Sequence, residues 1–344
     1  MDATQRRTAR LSLKIFLFLL FGCLLLLFFI LNIALGSVHI PLGEVCKALL
    51  HREVDQVYQS VVWEIRFPRA LAAVFGGAAL ATSGLLLQIF FRNPIVDPYV
   101  LGVSSGATLV VALLMLTGLA LGAGAAPPFL LSTAALAGAA GVVGLVVTVA
   151  SRVKNVVTLL VIGLMFGYLC SAGSSVLLAF AEKEKVHGFV LWTLGSFSGF
   201  CWDETAVLVM GGVLLLGGSY FLCKPLNALL LGEDYAQSMG VNIKMLRILI
   251  VIFSSGLAAL VTAFAGPVAF IGLAGPHLAR LTLGTSDNKL LIPATVLLGG
   301  LVATMCDLAA RLVFSPVELP VSAVTSIFGA PLVVGLLLRR RTSL

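Results

Sequence analysis

Long apolar runs, separated by short polar connectors, dominate this chain. The first, Ile15 to Leu35, has 21 residues, enough at a helical rise to cross about 30 Å of hydrocarbon. Further runs cover Ala70 to Phe90 and Leu101 to Leu121, then about Pro128 to the basic turn at Arg152 and Lys154, and from there to Phe180. The remaining runs are Thr205 to Cys223, Leu246 to Ala265, Phe270 to Leu283, Leu290 to Val313 and Val321 to Leu338. Such spacing predicts an all-α, polytopic membrane protein of about ten transmembrane helices, with residues 1–344 forming a single transmembrane domain.

The connectors carry the punctuation. Residues 36–62 read as a loop, Arg92, Asn93, Pro94, Asp97 and Pro98 as a polar turn, and residues 122–128 as a Gly/Ala/Pro turn. The longest hydrophilic connector runs from Lys224 to Lys244. Gly266, Pro267, Gly275 and Pro276 interrupt the second half, as expected of non-ideal helices beside a solvent pathway, where protein or water can satisfy opened backbone groups. Gly163 and Gly167 form a small-xxx-small pair suited to close helix contact.

Composition sharpens this picture. Hydrophobic residues make up 60% of the chain and charged residues 11%, and the mean hydropathy is +1.10, which excludes a water-soluble domain. Arg6, Arg7, Arg10 and Lys14 precede the first run, which is too long for an ordinary signal-peptide core and reads as a span. With Arg92, Arg152, Lys154, Lys224, Lys244, Arg247, Arg280, Lys289 and Arg339 to Arg341 they put 15 basic residues on one side. Lys47, Arg52, Arg66, Arg69, Lys183, Lys185 and Arg311 put seven on the other. The asymmetry predicts that both termini are cytoplasmic. It also accounts for the +7 net charge without nucleic acid, for which there is no basic helix or aromatic-basic array.

Catalytic chemistry is sparse. The six cysteines include no CxxC pair, and His39, His51, His187 and His277 form no metal-ligand spacing. No Walker loop is present, so the chain is not itself an ATPase. Neither a metal nor a cofactor is expected. Asp307 and Arg311, four apart on one helix face, can pair, and Arg66 and Arg69 flank Phe67-Pro68 on the side where positive charge is scarce. Met165 and Tyr168 read as core residues.

Several ordered segments resemble the permease family that imports iron-siderophores, haem and vitamin B12 through ABC transporters. They are Arg66-Phe-Pro-Arg69 with the following GGAALATSG run, Arg92-Asn-Pro-Ile-Val-Asp-Pro98 with Leu101-Gly-Val-Ser-Ser-Gly106, and Trp192-Thr-Leu-Gly-Ser196. In the second half they are Leu231-Gly-Glu-Asp-Tyr-Ala236 with Met239-Gly240, Phe270 to His277 with Arg280, and Glu318-Leu-Pro-Val321 with Gly329-Ala-Pro331.

The resemblance implies a bacterial cytoplasmic (inner) membrane protein of ten helices in two halves related as an inverted repeat. It also implies pairing with a second copy or a homologue, two cytoplasmic ATPases that use ATP and Mg, and a periplasmic or lipoprotein-type substrate-binding protein. Residues 224–244 would be the ATPase-coupling segment, with Leu231, Gly232, Glu233, Ala236, Met239 and Gly240 at its motif positions. Arg66, Arg69 and Arg311 would receive acidic residues of the binding protein. Asn93, Pro94, Pro276, His277 and Asp307 would serve gating or structural roles. A ferric siderophore is the first expectation for cargo, with haem, vitamin B12 or an oxyanion as alternatives. An ion-coupled secondary transporter, with Asp307 as the ionisable residue closest to mid-membrane, is the competing class.

Overall fold

The computed structural model describes residues 3–50, 52, 54–117, 128–153 and 155–341. The turn expected at 122–128, His51 and Lys154 fall, wholly or nearly so, outside the described residues. In chain order the helices are α1 (Ala3–Ala34), α2 (Leu42–Leu49), α3 (Gln56–Ser60), a π-helical turn (Val61–Arg66) and α4 (Phe67–Phe90). Next come α5 (Val103–Leu116), α6 (Pro128–Arg152), α7 (Val156–Ala179), α8 (Lys183–Thr193), α9 (Trp202–Phe221), α10 (Cys223–Leu230) and α11 (Glu233–Ser238). The chain closes with α12 (Ile243–Ala265), α13 (Ile271–Leu283), α14 (Asn288–Leu312) and α15 (Val321–Arg341).

Each predicted apolar run is helical, but among the described residues seven helices are long and apolar enough to cross a membrane. The runs at α5 and α13 yield 14 and 13 helical residues, only about 20 Å of rise. In α15 the apolar stretch is Val321–Gly335. Glycine and proline shorten the first two. Gly102, at φ +78, caps the start of α5, and Phe270, at φ +65, precedes α13. Their starts are tied together: Tyr99 Oη accepts from the Val268 amide at 3.1 Å, and Pro98 lies where a Cβ on Gly272 would sit 2.1 Å from its ring. The expected 36–62 loop is partly helical as well, since residues 56–90 run continuously from α3 through the π turn into α4.

Helix α4 is the hub, packed against α14, α12, α13, α9 and α1. Small residues permit its closest approaches, because lipid offers no hydrophobic drive between helices and dispersion contacts must supply the attraction. A Cβ on Gly77 would stand 2.3 Å from the Gly299 carbonyl oxygen, and one on Gly84 1.9 Å from that of Gly272. Gly163 and Gly167 do make a close contact, but with Leu101 and Gly102 at the entry to α5 rather than with a second long helix. By contrast α7 turns outward: Met165 is 52% and Tyr168 66% exposed, so neither is core within this chain.

Candidate functional site

The outer ends of α1, α4 and α14 meet in a buried charge cluster. Arg66, Arg69 and Arg311 are only 3%, 4% and 3% exposed, and Asp307 is fully buried. The Asp307 carboxylate accepts from Arg69 Nε at 3.1 Å and Nη2 at 3.0 Å, and its other oxygen lies 3.3 Å from Arg311 Nη2. Arg69 Nη1 donates to Glu318 at 2.9 Å. A planar guanidinium is suited to this, holding one carboxylate along one edge and a second at its remaining nitrogen.

The other two arginines serve α1. Arg66 Nη1 donates to the carbonyls of Ile33 at 3.0 Å and Ala34 at 2.8 Å, and Nη2 to Val38. Arg311 Nη1 and Nη2 each reach the Asn32 carbonyl at 3.3 Å. The last carbonyls of a helix lack intrahelical donors and carry the negative end of its dipole, so guanidinium groups satisfy both needs. Asn32, itself fully buried, ties α1 to α14 by donating to the Thr304 carbonyl at 3.0 Å. The sequence spacing anticipates the Asp307–Arg311 pair. Arg69 as the main partner of Asp307, and the parts of Glu318 and Asn32, depend on contacts between distant segments; an isolated asparagine at the end of an apolar run was the one available signal.

At the cytoplasmic end, the 224–244 connector forms two short helices, α10 and α11, joined at Gly232, whose φ is +123. Ala236 is fully buried, while Leu231, Tyr235 and Met239 are 66%, 54% and 61% exposed. Glu233 lies at the start of α11, where the helix dipole favours a carboxylate, and meets Arg247 Nη2 at 3.5 Å. Gly240, at φ +86, turns the chain toward α12. The result is a small helical knob with an apolar surface.

Beside it, a cavity of about 520 Å³ opens between the ends of α4, α13 and α14, lined by Pro94 and His277 among others. Asn93 closes an Asx turn, its Oδ1 accepting from the Ile95 amide at 3.0 Å. Pro276 lies inside α13 and has no N–H to give to Gly272 four residues back. Gln88 Nε2 donates to that carbonyl instead, at 3.3 Å, and Gln88 Oε1 accepts from Arg280 Nη1 at 2.7 Å. Sequence reasoning passed over Gln88 because one glutamine at the end of an apolar helix has no distinctive pattern. Among the described residues, no group of three or more His, Cys, Asp or Glu is placed to hold a metal ion.

Comparison with known proteins gives this geometry its context. The chain is 35% identical over 327 residues to the vitamin B12 import system permease protein BtuC of Klebsiella pneumoniae, covering 94% of each chain. It is 37% identical to the BtuC of Photorhabdus laumondii, covering 93% of this chain and 91% of that one. A solved structure of an inward-facing metal-chelate type ABC transporter superposes with a TM-score of 0.82 at 30% identity, over 94% of this chain and 99% of that one. PsaBC from Streptococcus pneumoniae, at 12% identity and a TM-score of 0.50, shares the fold. Residues 24–339 match the model of the FecCD transport family, and this integral membrane protein belongs to that family.

Proposed function

We propose that the protein is the membrane-spanning permease subunit of an ATP-driven importer of a metal chelate, with a vitamin B12-type corrinoid as cargo. The observation that carries this reading is the end-to-end likeness to B12 permeases, at 35% and 37% identity. It moves the first expectation for cargo from a ferric siderophore to the corrinoid alternative. On this reading residues 1–344 are one permease domain of ten helices in two inverted halves. The short α5 and α13 are then the discontinuous elements that line a pathway, as broken helices do in transporters. The chain pairs with a second permease, takes cargo from a substrate-binding protein outside, and leaves ATP and Mg to two cytoplasmic ATPase subunits.

The knob formed by α10 and α11 is the proposed coupling segment. Its exposed Leu231 and Met239 would enter a cleft on the ATPase, with Ala236 packed beneath and Gly232, Glu233 and Gly240 shaping the turns. Asn93, Pro94, Pro276 and His277 would stand near the inner gate. At the outer face, Arg66, Arg69 and Arg311 are committed within the chain, so their contribution to binding-protein docking would run mainly through Arg69. Its partner Glu318 has a side chain 32% exposed and can be exchanged for an incoming carboxylate. Asp307, held by two arginines, is poorly suited to the proton or sodium cycle of a secondary transporter.

The deciding experiment reconstitutes permease, ATPase and binding protein in vesicles and measures ATP-dependent uptake of cobalamin, a ferric siderophore and haem. Cobalamin uptake that requires all three components is expected. Uptake by the permease alone, driven by an ion gradient, would overturn the reading. Gly232→Val, at a position with open space but φ +123, is expected to uncouple hydrolysis from uptake while leaving insertion intact.

A further inference from the structure

The cavity at the cytoplasmic ends of α4, α13 and α14 has a chemistry that gating does not explain. Its lining includes Arg92, His277 and Arg280, and no Asp or Glu among the described lining residues. Asp287, next to the cavity, is engaged by Asn227 at 2.7 Å. The same helix ends add apolar side chains to the lining, Ile89, Leu281 and Leu291. Arg92 stands at φ +49, a left-handed conformation unusual for a side-chain-bearing residue, with Nη2 3.5 Å from the Leu229 carbonyl. Asn288, fully buried, brings to the lining an Oδ1 without a hydrogen-bond partner.

We infer that this cavity is a binding site for an anionic phospholipid of the inner leaflet. The phosphate would lie against Arg92 and Arg280, glycerol or headgroup hydroxyls would donate to Asn288 Oδ1, and the first acyl methylenes would rest on Leu281 and Ile89. Three features point to a lipid. The site lies where two helices end and a third begins on the basic, cytoplasmic side, where apolar runs give way to polar connectors. Its lining brings cationic and apolar side chains together, as an amphiphile requires and a free anion does not. Its volume, about 520 Å³, accommodates a headgroup with its glycerol. Basic pockets between membrane helices on this side are suited to such headgroups. The occupant would brace the C-terminal ends of α4 and α13 against the adjoining α10.

The test is native mass spectrometry of the permease extracted from vesicles of phosphatidylcholine mixed with phosphatidylglycerol or cardiolipin. Wild type is expected to retain the anionic lipid selectively. Arg92→Gln should lower retention about fivefold, the equivalent of about 1 kcal/mol for one cation near an anionic surface. Ser286→Glu, an exposed change at the cavity lip, should do the same without touching the Gln88–Arg280 network. Equal retention of phosphatidylcholine and the anionic lipids, or retention indifferent to both substitutions, would overturn the inference. So would displacement of the lipid by inorganic phosphate alone, which would mark a simple anion site. Loss of the lipid when the ATPase subunits assemble, with Arg92→Gln weakening that assembly, would assign the cavity to the ATPase instead.

Discussion

Asp307→Asn tests whether the outer cluster holds the bundle together. The fully buried carboxylate is shared by Arg69 and Arg311, themselves 4% and 3% exposed. Asparagine keeps the shape but removes the charge, leaving two buried guanidiniums with Glu318 as the nearest carboxylate, on the far edge of Arg69. Removing one partner of a buried ion pair costs about 3–5 kcal/mol, because the remaining charge stays desolvated. Two cations share this loss, so the upper part of that range is expected. In a chain of this size the effect should appear as a fall of several degrees in the unfolding temperature of the detergent-purified protein, followed by intrinsic fluorescence. Replacing the carboxylate together with both of its arginine partners, Asp307→Leu with Arg69→Met and Arg311→Met, should recover much of the loss, since buried charge clusters exchanged as a unit for hydrophobic residues are often neutral. Glu318→Gln, at a partly exposed position, should cost no more than about 1 kcal/mol. Wild-type unfolding of Asp307→Asn, or a triple variant no more stable than the single, would refute the reasoning.

Four further outcomes are expected. Gly84→Ala should abolish folded protein in a size-exclusion profile, because its Cβ would meet a backbone oxygen at 1.9 Å, whereas Gly144→Ala, with nothing within 4 Å, should leave the profile unchanged. Arg66→Met should cost about 1–3 kcal/mol by leaving unpaired two carbonyls at the end of α1 and that of Val38 in the loop after it, measured by the same thermal unfolding. Charge reversal at Arg69 should lower both stability and binding-protein affinity, and the affinity loss should shrink at high salt in a docking titration. At the N-cap of α14, the hydrogen bond from Asn227 holds the Asp287 carboxyl below the usual carboxylate range, with partial burial opposing it. A lowered folded-state value stabilises above the unfolded one, so the advantage of wild type over Asp287→Asn in thermal unfolding should be present at neutral pH and disappear as pH falls below about 4.

Some of this protein was legible along the chain because it depends on local rules. Transfer of side chains into hydrocarbon fixed the all-α membrane character, and the apolar runs fall on helices, seven of which, among the described residues, are long and apolar enough to cross a membrane. Proline and glycine punctuation marked the interruption around Pro276, and four-residue spacing paired Asp307 with Arg311. The connector at 224–244 was readable as the longest hydrophilic stretch between apolar runs, while its fold into two short helices joined at Gly232 came from the structure. Other features were decided only by tertiary contact. That α5 and α13 fall short of a full span follows from their starts being held together at Tyr99, Val268, Pro98 and Gly272, segments about 170 residues apart. Apolarity alone could not place α7 outward, since a lipid-facing and a core-facing helix draw on the same side chains. Arg66 and Arg69 look like free surface cations in the sequence, because nothing local records that Asp307, Glu318 and the end of α1 converge on them. Hydrophobic patterning sets which segments enter the membrane; the pairing of buried charges and open carbonyls sets how those segments are joined, and such pairs form between residues far apart in the chain.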